Sequence, residues 1–163
     1  MDINEKVPGA PNFTWRELLR SDTATRLGIN NVPPAGSAVW HNLEYVARNV
    51  LQPVRDEFGP ILVTSGYRGP ALNRAVGGST TSFHLQGNAV DFEPLNNKYS
   101  IKDVFEFVYK KLPYTELIAE NIPDGWVHAA LAKGREREKQ LKYKLVGSGV
   151  KRGSYEYIME RFV

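Results

Sequence analysis

The feature that most restricts the fold is a pair of short apolar segments joined by a tight turn. The segments TELIAE (115–120) and WVHAAL (126–131) are typical of strands, and only NIPDG lies between them. Strands connected by so short a turn pair antiparallel, because parallel neighbours need a long crossover. With the helical patterns elsewhere, this turn favours an α+β domain with a small, mainly antiparallel sheet flanked by helices over a doubly wound parallel sheet.

The remaining patterns predict helices in the part of the chain that precedes these strands. The longest amphipathic helix is predicted from Ser37 to Phe58, where apolar residues recur at three- and four-residue steps. Pro53 should kink its last turns. Shorter helices are predicted at FTWRELLR, which opens with a Thr14–Glu17 capping box, at PALNRAVGG and at SIKDVFEFVYKKL, and further strands at ILVTS, NAVDFEP and LKYKLVG.

Length and composition are those of one ordinary globular domain. The chain has 163 residues, of which 42% are hydrophobic and 24% charged. We predict a single monomeric domain over 1–163, in which 1–12 form a loose N-terminal arm and 132–163 a charged loop and C-terminal extension. Cysteine is absent, which excludes disulfides, thiolate metal sites and thiol nucleophiles.

Charge and hydropathy argue against two classes of partner. The basic residues cluster in KGREREKQLKYK (133–144), but glutamates interrupt them, so we predict no nucleic-acid binding. No apolar stretch approaches the ~20 residues that span a bilayer, so we predict no membrane insertion. The start, MDINEKVPGAPNF, lacks a basic segment followed by an apolar run. We therefore expect no signal peptide and synthesis in the cytoplasm.

The chain contains only three histidines, and one of them, His84, has a candidate carboxylate partner close by in the sequence. His41, in the long helix, is expected to be a surface or packing residue. His84 precedes Asp91 by seven positions, and a turn at Gly87 can bring the two together. His128 lies in the strand WVHAAL. Two imidazoles and a carboxylate are a three-ligand set that leaves a fourth position for water at a catalytic zinc ion, although such spacing also arises by chance.

The order of residues around these ligands resembles a known family. The pattern SGYR…LN…VGG…SxHxxGxAxD, followed by WxH, closely resembles the zinc D-alanyl-D-alanine carboxypeptidases and L-alanyl-D-glutamate endopeptidases, which have the hedgehog/DD-peptidase fold. The resemblance is strongest to the branch common in bacteriophages. It runs from about Phe13 to Leu131, and its most specific part is Ser65 to Asp91.

The resemblance assigns roles to individual positions. It implies that His84, Asp91 and His128 bind Zn²⁺. It implies that Arg68 is the cation that meets a backbone carbonyl or carboxylate of the substrate, with a surface salt bridge as the structural alternative.

Two further positions are assigned to substrate binding, each with a structural alternative. Ser82 orients the ligand loop, or donates a hydrogen bond to substrate, or is an ordinary turn serine. Tyr67 either lines the cleft or packs against the core.

The catalytic base departs from the family's best-known pattern. Many members carry an acid three residues before the second histidine, where this chain has Gly125. The phage-type branch instead carries an acid at the end of the preceding strand, which here is Glu120. We therefore predict Glu120 as the base, followed by Asp124 and then Glu116; a hairpin-end carboxylate without chemical role is the structural alternative.

The implied activity is hydrolysis of peptide bonds in the stem peptides of bacterial peptidoglycan by metal-activated water. The resemblance leaves carboxypeptidase and endopeptidase both open. A phage-type enzyme would act on the cell wall after release or as part of a virion. The alternative is a catalytically weak or inactive zinc-containing module that binds the wall or a protein partner, and the glycine at position 125 is its best support.

Overall fold

The computed structural model describes all residues, 1–163, and contains a two-stranded and a six-stranded sheet. The strands are β1 (Lys6–Val7), β2 (Ala10–Thr14), β3 (Ile61–Ser65), β4 (Ala89–Pro94), β5 (Glu116–Ile122), β6 (Trp126–Ala130), β7 (Gln140–Leu145) and β8 (Lys151–Arg152). The large sheet has the order β3-β4-β6-β5-β7-β8, and only β5 and β7 are parallel. The predicted α+β class with a mainly antiparallel sheet is confirmed.

Seven α-helices connect and flank the strands. They are α1 (Trp15–Leu19), α2 (Asp22–Leu27), α3 (Ala38–Val46), α4 (Gln52–Phe58), α5 (Pro70–Ala75), α6 (Ile101–Lys111) and α7 (Tyr155–Met159), with 3₁₀ turns at Phe83–Gln86 and Glu160–Phe162. The capping box of Thr14 and Glu17 is present. None of the helices combines the length and apolar character needed to cross a bilayer.

The long helix predicted from Ser37 to Phe58 is continuous but not uniform. A π-helical turn, Ala47–Leu51, joins α3 to α4. Pro53 has no N–H to donate to the carbonyl four residues earlier, and the backbone widens just before it: the N–H of Gln52 donates to the carbonyl of Ala47. The predicted kink therefore takes the form of a π-turn rather than a break.

The core lies between the helices and one face of the large sheet. Side chains of α3, α4 and α6 join strand residues such as Phe92, Leu117 and Val127 in one cluster of buried apolar side chains. Because side chains alternate along a strand, the neighbours of these residues point to the opposite face. Asp91, next to Phe92, and His128, next to Val127, are thereby held on a rigid surface outside the apolar core.

The prediction of a loose arm at 1–12 is wrong. β1 and β2 form an antiparallel hairpin, with Val7 paired to Ala10 around a Pro8-Gly9 turn. Val7 is only 1% exposed and Ala10 is fully buried. The burial of these apolar side chains fixes the segment against the domain. Gly9 has a φ of 74°, a left-handed conformation that glycine adopts without strain.

The C-terminal extension is also structured beyond its charged loop. β7 is the strand predicted at LKYKLVG, and β8 pairs with its outer edge. α7 contacts β7 and buries Ile158 completely. The sequence did not assign these last residues, because a five-residue helix carries too little periodicity.

Candidate active site

Two histidines and an aspartate meet on the face of the sheet that points away from the core. Asp91 on β4 and His128 on β6 are direct neighbours in the sheet register, and His84 reaches them from the 3₁₀ turn. Nε2 of His84 lies 3.2 Å from Nδ1 of His128 and 3.3 Å from Oδ1 of Asp91. The His128 Nδ1 and Asp91 Oδ1 atoms are 2.8 Å apart. All three residues predicted to bind metal therefore converge.

The local backbone explains how His84 reaches the strands. Ser82 caps the turn, since its Oγ accepts a hydrogen bond from the backbone N–H of His84. Gly87 ends the turn with a φ of 72°, and a Cβ there would lie 2.9 Å from the carbonyl oxygen of Val39. A larger residue would be strained and crowded at this position, so the turn predicted at Gly87 depends on glycine.

The donor atoms have the spacing that a tetrahedral metal ion requires. Ligands bound about 2.0–2.2 Å from such an ion lie roughly 3.3–3.5 Å from one another. Two of the three separations, 3.2 and 3.3 Å, are close to this range, and the third, 2.8 Å, needs only a small opening. All three donor atoms lie within 4.8 Å of one another. The cluster can therefore hold a divalent cation through two nitrogens and one oxygen.

The far nitrogen of each histidine faces an acceptor, which orients both rings. Nδ1 of His84 donates to the carbonyl oxygen of Gly66 at 2.7 Å, and Nε2 of His128 donates to Oε1 of Glu116 at 3.2 Å. With protons on these outer nitrogens, Nε2 of His84 and Nδ1 of His128 are the atoms left to bind an ion. Nδ1 of His128 must first release the proton that it donates to Asp91. Such outer partners are typical of metal-binding histidines.

The charges of the cluster stabilise one another. Burial alone would raise the pKa of Asp91, but the nearby His84 and the hydrogen bond from His128 hold it well below its usual range. Burial alone would lower the pKa of His128, but the hydrogen bonds to Asp91 and Glu116 raise it to about 10. Asp91 is therefore an anionic ligand at neutral pH, as a cation site requires.

Glu116 is engaged behind His128 and is not available as a base. Its second carboxylate oxygen forms an ion pair with Lys142 of β7. Burial alone would raise the pKa of Glu116, but the hydrogen bonds from His128 and Lys142 lower it to about 2. A carboxylate with so low a pKa and two bound partners is a poor proton acceptor. The third-ranked base candidate is therefore a positioning residue for His128.

Replacing Glu116 with glutamine should weaken metal binding about 10–100-fold, the usual effect of losing an outer partner of a metal-bound histidine. The amide keeps the shape but leaves Lys142 unpaired and holds the His128 ring less firmly. Competition with a chromophoric chelator measures the affinity. Glu138→Gln, at an exposed ion pair, is the matched control, and equal affinities for both variants would contradict the positioning role.

A cleft of about 910 Å³ opens over the cluster, and Glu120 is one of its lining residues. Glu120 pairs with Trp126 across the β5–β6 hairpin, and its carboxylate has no hydrogen-bond or ion-pair partner. Burial, and then the charge of Asp91, raise its pKa above the usual value. Asp124 is exposed and does not line the cleft. Of the three candidate bases, Glu120 alone combines position and a free carboxylate.

The backbone explains why position 125 cannot hold the acid that the sequence pattern led us to expect three residues before His128. A Cβ on Gly125 would lie 1.8 Å from the carbonyl oxygen of Glu120 and 2.8 Å from the Cβ of Asn121. Both contacts are far below van der Waals separation. The tight hairpin that carries Glu120 into the cleft therefore requires glycine at 125.

Gly125→Ala should lower the free energy of unfolding by about 1–3 kcal/mol, as overpacking of a rigid site does. Urea denaturation followed by circular dichroism measures the change. Gly149→Ala is the control, because a Cβ at Gly149 meets no atom within 4 Å. Equal stability of the two variants would show that the hairpin relaxes without cost.

Arg68 and Ser82 lie in the cleft, whereas Tyr67 and His41 do not. Arg68 lines the cleft; its Nε is buried without an acceptor, and no acid pairs with it, so the surface salt-bridge alternative is not supported. Ser82 lines the cleft as well as capping the turn. Tyr67 is 7% exposed and belongs to the apolar core, in line with its packing alternative. His41 is exposed on α3.

Sequence reasoning missed the contribution of β7 to the cleft. Gln140, Lys142 and Lys144 all line it. Alternation within LKYKLVG already placed the two lysines on one face of a strand. The sequence did not indicate that this strand pairs in parallel with β5.

The family model described as Peptidase M15 matches residues 11–129. This span includes the three cluster residues, Arg68 and Glu120, and it ends before β7. Among curated proteins, none matches the chain.

Proposed function

Because the chain belongs to the peptidase M15 family, we propose that it is a zinc peptidase that hydrolyses a peptide bond in the stem peptides of bacterial peptidoglycan. The observation that carries the proposal is the convergence of His84, Asp91 and His128 at a cleft that Glu120 also lines. Two imidazoles and a carboxylate are a donor set used by catalytic zinc, with one position left for water.

The chemistry divides between the ion and the residues of the cleft. Zinc in such a site lowers the pKa of water towards ~7 and polarises a carbonyl oxygen. Glu120 accepts a proton as the water oxygen bonds to the scissile carbonyl carbon. It returns this proton to the amine nitrogen as the C–N bond breaks. The products are a carboxylate and a free amine.

Arg68 supplies a fixed positive charge beside the reacting carbonyl. Its guanidinium lines the cleft and has no acidic partner in the protein. As negative charge develops on the carbonyl oxygen, Arg68 can donate hydrogen bonds to it. Such preorganised donors stabilise the transition state because they need not reorient during the reaction.

The peptidoglycan substrate rests on the sequence resemblance and is tested by mass spectrometry of muropeptides after incubation with the purified protein. We expect fragments separated at one stem-peptide bond, and their masses distinguish carboxypeptidase from endopeptidase activity. The phage-type resemblance supports action on the cell wall after release or from a virion. An unchanged muropeptide profile, with zinc bound, would overturn the proposal.

That same outcome would favour the alternative, a zinc-containing module that binds wall fragments or a partner without cleaving them. Its main support was the absence of an acid at position 125. Glu120 occupies the cleft from the same hairpin, which weakens that support. Release of free amines from peptidoglycan distinguishes the two candidates.

A further inference from the structure

The strand β7 lies beyond the span that matches the family model, yet it forms one wall of the cleft. Its parallel register sets Gln140 beside Glu116 and Lys142 beside Ile118. Alternation then places Lys144 on the cleft side, two residues further along, while Tyr143 between them is buried in the core. Because β7 lies outside the matched span, membership of the family does not specify which side chains form this wall of the cleft.

Two of the four cations that line the cleft are already neutralised by acids of the protein. Arg135 binds Glu138 through two hydrogen bonds of 2.6 and 2.9 Å, and Lys142 forms an ion pair with Glu116. Lys144 has neither a hydrogen bond nor an acid within 4.0 Å of its amine, and neither does the guanidinium of Arg68. These two are the charges available to an incoming ligand.

The two unpaired cations lie on opposite sides of the histidine–aspartate cluster. Arg68 follows β3, at one edge of the sheet, and Lys144 is on β7, on the far side of β5. Glu120 on β5 lies between them. Lys144 and Glu120 line the same cleft without forming an ion pair, and the charge of Lys144 opposes the rise in the pKa of Glu120.

We propose that Lys144 binds a carboxylate of the substrate, so that the cleft selects peptides with a free carboxyl group close to the scissile bond. Lys144 is half-buried and lines the cleft without an acidic partner, so a ligand carboxylate can form a strong, charge-assisted hydrogen bond with its ammonium group. This inference rests on the proposed peptidase function and adds the substrate feature that β7 recognises. Arg68 then remains free to act on the scissile carbonyl.

The competing role for Lys144 is purely electrostatic: it would keep Glu120 ionised and contact no substrate. The two roles predict different substrate dependence. A lysine that acts only on Glu120 affects every peptide equally. A lysine that binds a carboxylate affects only peptides in which that carboxylate is free.

The experiment compares three synthetic stem peptides: the free acid, a form amidated at the D-glutamate carboxyl and a form amidated at the C-terminal carboxyl. kcat/KM is measured for the wild-type protein, for Lys144→Met and for Lys133→Met, an exposed lysine outside the cleft that serves as the charge-matched control. We expect Lys144→Met to lose about 10–100-fold with the free acid, the range for a hydrogen bond to a charged group. With one of the two amidated peptides, Lys144→Met should have the same kcat/KM as the wild-type protein. The carboxyl group that is amidated in that peptide is the one that Lys144 recognises.

A binding measurement separates failure of this inference from failure of the proposed function. The affinities of the three peptides are measured by calorimetry for Glu120→Gln and for Glu120→Gln combined with Lys144→Met. If the wild-type protein cleaves none of the peptides, the peptidase proposal fails, and the calorimetry still tests Lys144. Equal losses with all three peptides, or no loss with the free acid, would overturn the role of Lys144.

Discussion

Replacing Glu120 with glutamine is expected to lower turnover by about 10²–10⁴-fold, the usual contribution of a general acid–base group. Glutamine has nearly the same shape but cannot accept a proton from the attacking water or return one to the leaving amine. The three cluster residues do not contact this side chain through any hydrogen bond. Metal content should therefore stay at the wild-type level, which separates a loss of catalysis from a loss of the site.

The matched control for this substitution is Asp124→Asn, in the same hairpin. Asp124 was the second-ranked base, but it is exposed and outside the cleft, so its variant should retain activity within about twofold, as most surface substitutions do. Turnover is measured on purified peptidoglycan, and metal by inductively coupled plasma mass spectrometry. Full activity in Glu120→Gln with metal retained would show that another group is the base. Loss of activity in Asp124→Asn would point to that residue.

The parts of the site that the sequence predicted depend on local geometry. Alternation along WVHAAL and the short turn before it fixed which side chains of β5 and β6 share a face. The observed register, with Ile118 opposite His128 and Glu120 opposite Trp126, follows directly. The turn at Gly87 could likewise be predicted from the neighbouring residues alone. The resemblance to zinc peptidases, confirmed at the level of the family, then selected the residues that meet.

The parts that the sequence did not predict depend on contacts between distant segments. Periodicity indicates which face of a strand is apolar, but it does not name the neighbouring strand. Glu116 could therefore be ranked as a base, because nothing in the sequence paired it with Lys142. Tyr67 was predicted to bind substrate because it stands next to Arg68 in the family's motif, and only the tertiary structure shows that it belongs to the core. Likewise, the short segment around Val7 could be recognised as ordered only from its burial.

Removal of the metal is expected to abolish activity reversibly. Treating the wild-type protein with a chelator should lower turnover by at least about 10³-fold, because a catalytic ion supplies several kcal/mol of transition-state stabilisation. Adding zinc back should restore it. His84→Ala should cause the same loss without recovery, since it deletes a ligand that is only 1% exposed and fixed by Gly66. We expect about one zinc per chain in the wild-type protein, as in three-ligand catalytic sites, and far less in the variant.

His41→Ala is the histidine-matched control, because His41 is exposed on α3 and lies outside the cleft over the cluster. It should keep both zinc and activity. Chelation of the wild-type protein also distinguishes loss of the metal from misfolding of His84→Ala, because the wild-type chain keeps every side chain that packs around the cluster. Circular dichroism before and after chelation checks that the fold is retained. Activity that persists in the chelated wild-type protein, with zinc verified as absent, would show that His84, Asp91 and His128 meet for a reason other than metal-assisted hydrolysis.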